Sequence, residues 1–435
     1  MVQLGEEGDD LPRFDYLIIG NGAAGVGGVE GIRKLAPKGT IAVVGDETAM
    51  PYSRCFLTGY ISGRYSEENL TYRPPGFYER NLVQLFLGRR AVSLDPLEKK
   101  ALLDDGSLLG YRRLLLATGS SAVLQDLRGK DLPGVHVLRT IKDAQAISSE
   151  ASAARSAVVA GGGLVGIGTA IALLDRGLQV HLVVASHQVL SQNIDRGAAD
   201  LVVGHLRRNG IEVILNADVV EVLGPDQARG VRLSDGKVVD CDLVISAKGV
   251  RMNTDLAAIA GLSVGGGVMV DDHMRSSYPG IYAAGDVAEA KGFITGRSET
   301  LTLWPIAAEQ GRVAGSNMAG GDVAYPGGLQ INAVDFFGMP VVSVGEAREP
   351  KDPSGLEMTV ESDPLVKKYR KLVIRNGRVI GAILVGDTSQ AGVFTGMPCT
   401  RIDVRNVRDL LLKDSFDFDK LVDALLVKSP SVRAN

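Results

Sequence analysis

A chain of 435 residues is too long for one ordinary core, so two or three domains are expected, with room to enclose a large ligand. Apolar residues make up 45%, charged residues 23%, and the formal net charge is −4, a balance that argues against nucleic acid as a partner and against membrane insertion. Cys55, Cys241 and Cys399 form no C-x-x-C pair and the five histidines show no metal-ligand spacing, so neither a disulfide scaffold nor a protein-bound metal is expected. A reducing, cytoplasmic setting fits that cysteine usage.

The stretch from Met1 to Arg13 carries Glu6, Glu7, Asp9 and Asp10 where an export signal needs a basic start and an apolar run. No export is expected, and the acidic leader reads as a disordered tail. Phe14 to Ile19 then predicts a buried strand, Gly20 to Gly25 a turn, the segment to about Leu35 a helix, and Thr40 to Val44 a second strand. Arg112 to Ala117 predicts another strand, ending in Thr118-Gly119-Ser120, and Leu124 to Thr140 reads as a connector. The layout then returns, with Ser156 to Ala160 as strand, Gly161 to Gly166 as turn, Ile167 to Asp175 as helix and Gln179 to Val184 as strand. Ala157 to Leu174 is uncharged and long enough to span a bilayer, but its glycines break it into strand, turn and helix. Asp240 to Ser246 and Gly280 to Ala284 give further strands. From about Ala324 the pattern changes to hairpins, clearest in Arg370 to Ile374, the turn Asn376-Gly377 and Arg378 to Val385.

The turn Gly20-Asn21-Gly22-Ala23-Ala24-Gly25 follows a strand and opens a helix, the context that turns a common glycine pattern into a dinucleotide site. Gly20 permits the tight turn, Gly22 lets the backbone approach a pyrophosphate, and Gly25 allows close helix packing. The helix N-terminus adds unpaired N–H groups and a favourable dipole. Asp46 and Glu47 follow the second strand, where a carboxylate can hold a ribose diol.

Gly161-x-Gly163-x-x-Gly166 repeats the pattern, so two dinucleotides are expected. After its second strand stand Ala185, Ser186 and His187, with neither a carboxylate for a free 2′-hydroxyl nor an arginine for a 2′-phosphate, which leaves NADH and NADPH both open.

These pieces resemble the pyridine nucleotide-disulfide oxidoreductase superfamily, in particular its ferredoxin, rubredoxin and nitrite reductase branch. The resemblance also takes in Leu115-Leu116-Ala117-Thr118-Gly119, Leu132-Pro133-Gly134-Val135-His136-Val137-Leu138-Arg139-Thr140, Ala247-Lys248-Gly249 and Gly280-Ile281-Tyr282-Ala283-Ala284-Gly285-Asp286. It implies an α/β fold of two Rossmann-like dinucleotide-binding domains, glutathione reductase-like, with a C-terminal α+β domain. The implied limits are 1–122 and 253–323 for FAD, 123–252 for NAD(P) and 324–435 for the last domain.

By resemblance, FAD is held by Gly20, Asn21, Gly22, Ala23, Ala24, Gly25, Asp46, Glu47, Arg54, Val92, Ala117, Thr118, Gly119, Gly285, Asp286, Trp304 and Ala308. Asp286 is implied to bond the ribitol chain, Arg54 to lie near the diphosphate, and Trp304 to Gly311 to bring a helix N-terminus toward the flavin ring, where its dipole favours negative charge. NAD(P) is implied to contact Gly161, Gly163, Leu164, Val165, Gly166, Ser186, His187, Lys248 and Gly249. His187 reads equally well as a solvated histidine.

Two positions depart from the family. Pro51-Tyr52-Ser53-Arg54-Cys55-Phe56-Leu57-Thr58-Gly59 has Gly59 where the family has a lysine, and Gly168 stands where a glutamate often follows the second turn. The two family residues commonly pair beside the flavin, so losing both avoids an orphaned buried charge. Cys55 sits where coenzyme A-disulfide reductases and NADH peroxidases carry a redox cysteine; it reads either as that thiol or as a packing residue near the flavin. Cys241 and Cys399 read as structural, and Lys367, Lys368, Arg370 and Lys371 as an exposed hairpin face.

The expected activity is hydride exchange between NAD(P)(H) and FAD, with electrons relayed to or from an iron-sulfur protein or subunit. No cluster-binding cysteines occur, so that centre is expected on another chain, as in FAD subunits of tungsten aldehyde oxidoreductases or phenylglyoxylate dehydrogenases. The alternatives are a disulfide, persulfide or peroxide reductase using Cys55, and a non-catalytic flavin-binding subunit.

Overall fold

The computed structural model describes residues 11–348, 354–400, 402–405 and 407–412. The acidic leader therefore lies outside the described residues. The chain forms two compact units, one holding the chain up to Val123 with Arg139–Ser148 and Gly249–Gly328, the other holding Leu124–Leu138, Ser149–Lys248 and the chain from Leu329 onward.

In the first unit, Leu17, Ile18 and Ile19 are buried on both faces of the sheet, as a continuous apolar run requires. The strand Arg13–Ile19 runs parallel to Ile41–Gly45 on one side and Leu108–Leu116 on the other. Val83–Leu87 and Ile281–Ala283 extend the parallel sheet, while Lys100–Leu103 and Ala91–Asp95 add an antiparallel meander. Alternation divides the core: Tyr16 and Ile18 pack with Val29, Ile32 and Ala314, and Leu17 and Ile19 pack with Leu94, Leu103 and Leu109.

The helices Ala23–Leu35 and Trp304–Met318 meet along a seam of small residues. An added Cβ at Gly27 would lie 2.4 Å from the Ala308 carbonyl oxygen, at Gly31 2.3 Å from that of Arg312, at Gly311 2.1 Å from that of Ala24 and at Gly315 2.2 Å from that of Gly28. Glycines four apart on each helix thus bring the two backbones into direct contact.

In the second unit, Val135–Val137, Leu243–Ser246, Ser156–Ala160, Gln179–Val184 and Ile211–Leu215 make a parallel sheet. Val219–Leu223, Gly230–Leu233 and Val238–Asp240 form a separate antiparallel sheet. The uncharged stretch noted above is the strand Ser156–Ala160, a turn and the 12-residue helix Leu164–Asp175, which begins three residues before the expected start. Among the described residues no helix is long and apolar enough to cross a membrane.

The chain beyond Leu329 adds five antiparallel strands in the order Ile331–Phe336, Met339–Gly345, Arg378–Val385, Lys368–Arg375, Leu356–Asp363. Asn376 and Gly377 both have positive φ, 51° and 77°, as a two-residue hairpin turn of this hand needs. Phe394 and Met397 of the helix Ala391–Thr400 pack on one face with Val342, Leu372 and Leu384.

The basic cluster is not an exposed face. Lys368, Arg370 and Lys371 are 8%, 2% and 2% exposed. Arg370 pairs with Asp387 on one side of the sheet, and on the other Lys371 Nζ donates to Asp195 Oδ2 at 2.8 Å. Asp195 also caps the helix Arg196–Arg208 and accepts the Tyr369 hydroxyl at 2.7 Å. Carboxylates distant in sequence make this burial tolerable, since stripping one partner from such a pair costs about 3–5 kcal/mol.

Candidate cofactor and nucleotide sites

The first glycine turn is built by close approach. Gly20 N donates to Val44 O and Ala117 N to Ile19 O, both at 2.8 Å, which places the end of Leu108–Leu116 against the turn. Gly20 has φ +118°, and a Cβ there would stand 2.0 Å from the Ala117 oxygen; one on Gly25 would stand 2.0 Å from the Gly20 oxygen. A Cβ on Gly22 would meet nothing within 4 Å. Gly22 is the extended N-cap of Ala23–Leu35, without a side-chain cap or an acidic residue in the first turn, so the helix N–H groups keep no competing anion. Asn21 accepts the Tyr78 hydroxyl on Oδ1, while its buried Nδ2 has no partner. An open floor, free N–H groups and an orphaned donor together fit a bound diphosphate.

Around this turn, Glu47 has both oxygens engaged, Oε2 by the Tyr52 hydroxyl at 2.6 Å and Oε1 by Arg54 Nη2 at 2.7 Å, whereas Asp46 is exposed. Arg54 also reaches Arg139 O at 3.3 Å, and the Tyr52 hydroxyl accepts Ile141 N at 2.9 Å. Asp286 Oδ2 accepts both Arg139 Nη2 and the Ser120 hydroxyl at 2.6 Å. Burial pulls the Arg139 guanidinium down first and the like charge of Arg54 adds to it, with Asp286 opposing. Arg139, Ser120, Tyr52 and Tyr78 were not expected. Arg139 lies in the 132–140 connector, Ser120 directly follows Thr118-Gly119 and Tyr52 lies in the 51–59 segment, which are the signals that could have found them; nothing local marks Tyr78.

Gly285, with φ +81°, lies 2.9 Å by its Cβ position from the Ala24 methyl, and its N–H donates to Gln310 Oε1 at 2.9 Å. Thr118 and Asn253 exchange hydrogen bonds at 2.9 and 2.8 Å beside Gly119, whose φ is +66° and whose Cβ position is open. Trp304 opens its helix and packs edge-on to Tyr72, ring centroids 4.8 Å apart, with the Arg73 guanidinium 4.0 Å from the Tyr72 centroid. Ala308 is buried in the helix seam.

Val92 does not join this group. It is 44% exposed on Ala91–Asp95, the terminal strand of the sheet order, with Leu108–Leu116 and Lys100–Leu103 between it and Arg13–Ile19; its neighbour Ala91 packs on the core.

Cys55 lies on the short 3-10 turn Arg54–Phe56 with an exposed surface. The groups packed about its sulfur still push the thiol up, against weaker opposite pulls from Ser53 and Arg139. That favours thiol over thiolate, contrary to what a nucleophilic cysteine needs. At Gly59 a Cβ would come 2.3 Å from the Tyr65 ring, so an aromatic side chain fills the space where the family has its lysine.

The second turn repeats the construction. Gly161 N donates to Val183 O and Ala247 N to Ala160 O, again both at 2.8 Å. Gly161 has φ +132° and a Cβ position 2.2 Å from the Ala247 oxygen, Gly166 one 1.8 Å from the Gly161 oxygen, and Gly163 one that meets nothing. Gly163 is the extended N-cap of Leu164–Asp175, and Val165 is 50% exposed at its start. Ser186 donates to Gln188 O at 2.7 Å, His187 is exposed, and Lys248 pairs with Asp218. Gly249, with φ +94°, has an open Cβ position like Gly119. Among the described residues, no three His, Cys, Asp or Glu side chains gather so as to hold a metal ion.

Residues 14–311 match the pyridine nucleotide-disulphide oxidoreductase family and residues 331–397 the rubredoxin NAD+ reductase C-terminal domain. The chain belongs to the pyridine nucleotide-disulphide oxidoreductase family. It is 32% identical over 396 residues to the NADH-dependent phenylglyoxylate dehydrogenase subunit epsilon of Aromatoleum evansii, covering 90% of this chain and 93% of that one. It is 30% identical over 396 residues to the nitrite reductase [NAD(P)H] of Bacillus subtilis strain 168, covering 91% of this chain but only 48% of that protein, so it spans about half that relative's length. The putidaredoxin reductase–putidaredoxin complex superposes with a TM-score of 0.87 at 25% identity, over 95% of this chain and 99% of that one. Family membership bears out the expected fold class and the assignment to the FAD- and NAD(P)-dependent oxidoreductases.

Proposed function

We propose that this chain exchanges hydride with NAD(P)(H) through FAD and relays electrons to or from an iron-sulfur protein or subunit, in the cytoplasm. The carrying observation is the doubled turn, in which Gly22 and Gly163 each leave an open floor at a helix N-terminus inside a construction otherwise closed to a methyl group. The first turn, with Asn21, Thr118, Gly119, Gly285 and Asp286, would hold FAD; the second, with Leu164, Val165, Ser186, His187, Lys248 and Gly249, would hold the nicotinamide nucleotide. FAD, when bound, supplies the exchange between two-electron and one-electron chemistry.

The chain's own residues then bind and position. Gly22 would admit the diphosphate, Asn21 would offer its spare donor, and Glu47, held by Tyr52 and Arg54, would supply a fixed carboxylate for the ribose. Arg139 and Ser120 fix Asp286 through Oδ2, leaving Oδ1 for a ribitol hydroxyl. Trp304 and the N-terminus of its helix would offer a bound flavin ring positive dipole and an apolar surface. Hydride transfer depends on such positioning more than on an acid or base.

The relatives supply the partner: their names include a phenylglyoxylate dehydrogenase subunit and a reductase crystallised with putidaredoxin. Purification from cells at native abundance, followed by identification of co-purifying chains and their iron content, tests this. An iron-sulfur chain that accepts electrons from the purified protein and NAD(P)H supports the proposal; turnover only with a low-molecular-weight disulfide, and its loss in Cys55→Ser, would replace it.

A further inference from the structure

The loop that would read the adenosine ribose of the second nucleotide carries no charge of its own to choose between a hydroxyl and a phosphate. Ala185 has no polar group, the Ser186 hydroxyl is committed to Gln188 O at 2.7 Å, and His187 is exposed. A charged pair nevertheless stands beside that loop. Asn216 N donates to Ser186 O at 3.1 Å and Ala217 N to Val184 O at 3.2 Å, so the chain leading into Asp218 is laced to the end of Gln179–Val184. Asp218 holds Lys248, and Lys248 follows Ala247, the residue against whose carbonyl Gly161 turns. The pair therefore joins the neighbour of the ribose loop to the neighbour of the diphosphate turn.

Both members are largely withdrawn from solvent, Lys248 with 13% and Asp218 with 30% of its side chain exposed. Asp218 is fixed further by Val219 N on Oδ1 at 2.8 Å and by Gln125 Nε2 on Oδ2 at 3.4 Å. A lysine tied in this way contributes little net positive field, and its carboxylate partner opposes a further dianion.

Resting on the reading of the second turn as the nucleotide site, we infer that Asp218 is a specificity-determining residue: by holding Lys248 it makes the site select nucleotides without a 2′-phosphate. Removing the carboxylate while keeping its shape would free the lysine for a phosphate at the ribose 2′ position. The chain in its present form thus prefers NADH, through a carboxylate outside the ribose loop itself.

Equilibrium competition with AMP and adenosine 2′,5′-bisphosphate, which differ only by the 2′-phosphate, on the FAD-loaded protein reads this without turnover. The wild type is expected to bind AMP more tightly. Asp218→Asn is expected to shift the ratio toward the bisphosphate by about tenfold, with a gain that fades as salt rises and disappears when Lys248→Met is added. Lys248→Met alone is expected to weaken the bisphosphate more than AMP, which keeps the inference exposed if Asp218→Asn does not fold. A wild type that prefers the bisphosphate, or variants whose ratio stays at the wild-type value, overturns it. If neither probe binds the wild type, the nucleotide-site reading itself falls and takes the inference with it; binding of both probes with an unmoved ratio sinks the inference alone.

Discussion

The ring of Tyr65 occupies the space over Gly59, so that a Cβ on Gly59 would come within 2.3 Å of it. The loss of the family's lysine here is therefore structural as well as chemical. Gly59→Ala should cost roughly 1–3 kcal/mol in urea unfolding, the range for overpacking. Tyr65→Ala should remove that penalty, with the loss of its own ring contact to Phe56 counted in the double-mutant cycle. A fully additive cycle would show that the ring does not hold this space.

The two open glycines separate folding from binding. Gly22→Ala and Gly163→Ala should stay within about 1 kcal/mol of wild type, because a methyl there meets no protein atom. The first should retain little flavin by absorbance; the second should stay yellow but bleach poorly with nicotinamide nucleotide. Gly20→Ala should by contrast fail to accumulate, since it combines φ +118° with a backbone contact at 2.0 Å.

Arg139 and Ser120 both bond Asp286 Oδ2. Arg139→Met leaves a carboxylate whose side chain is only 12% exposed without its cation, and should cost roughly 3 kcal/mol in stability. Flavin content should fall more than the stability loss alone accounts for, and extra FAD in the buffer should restore part of it.

The three thiols should differ in reactivity. With an aromatic disulfide reagent at neutral pH, Cys55 and Cys399 should react in the native protein, Cys55 slowly because its thiol is pushed up, and Cys241 only after denaturation. Burial, helped by Asp242 and Asp240, raises Cys241 to about 12. Its contribution to stability is constant below the ordinary thiol range near about 8.5, then declines as pH rises from there toward that value, because the unfolded chain gives up the proton first. Cys241→Ala should flatten that alkaline decline in a pH series of unfolding midpoints.

Much of the fold was legible because the informative residues are local. Gly20, Gly22 and Gly25, and again Gly161, Gly163 and Gly166, each announce strand, turn and helix within a few residues, and the structure gives each glycine the steric reason expected of it. The seam between the two long helices was missed although Gly27, Gly31, Gly311 and Gly315 carry its spacing, since the two glycine pairs lie far apart in the chain. Lys368, Arg370 and Lys371 read as exposed because their partners, Glu361, Asp387 and Asp195, are supplied by a neighbouring strand, a loop and a helix cap. Val92 is 44% exposed on an edge strand whose register shifts between Ala91 and Ser93, a local irregularity that residue pattern alone does not reveal.

If FAD is held at the first turn and reduced by a nucleotide at the second, both events have a colour to read. Anaerobic titration of the purified protein with NADH, followed in the visible spectrum, tests this arrangement most directly. The expected result is a yellow protein that bleaches to a stoichiometric end point, and a Gly163→Ala variant that is equally yellow but bleaches far more weakly. A colourless protein that takes up no FAD on reconstitution, or a yellow one that neither NADH nor NADPH bleaches, would contradict it.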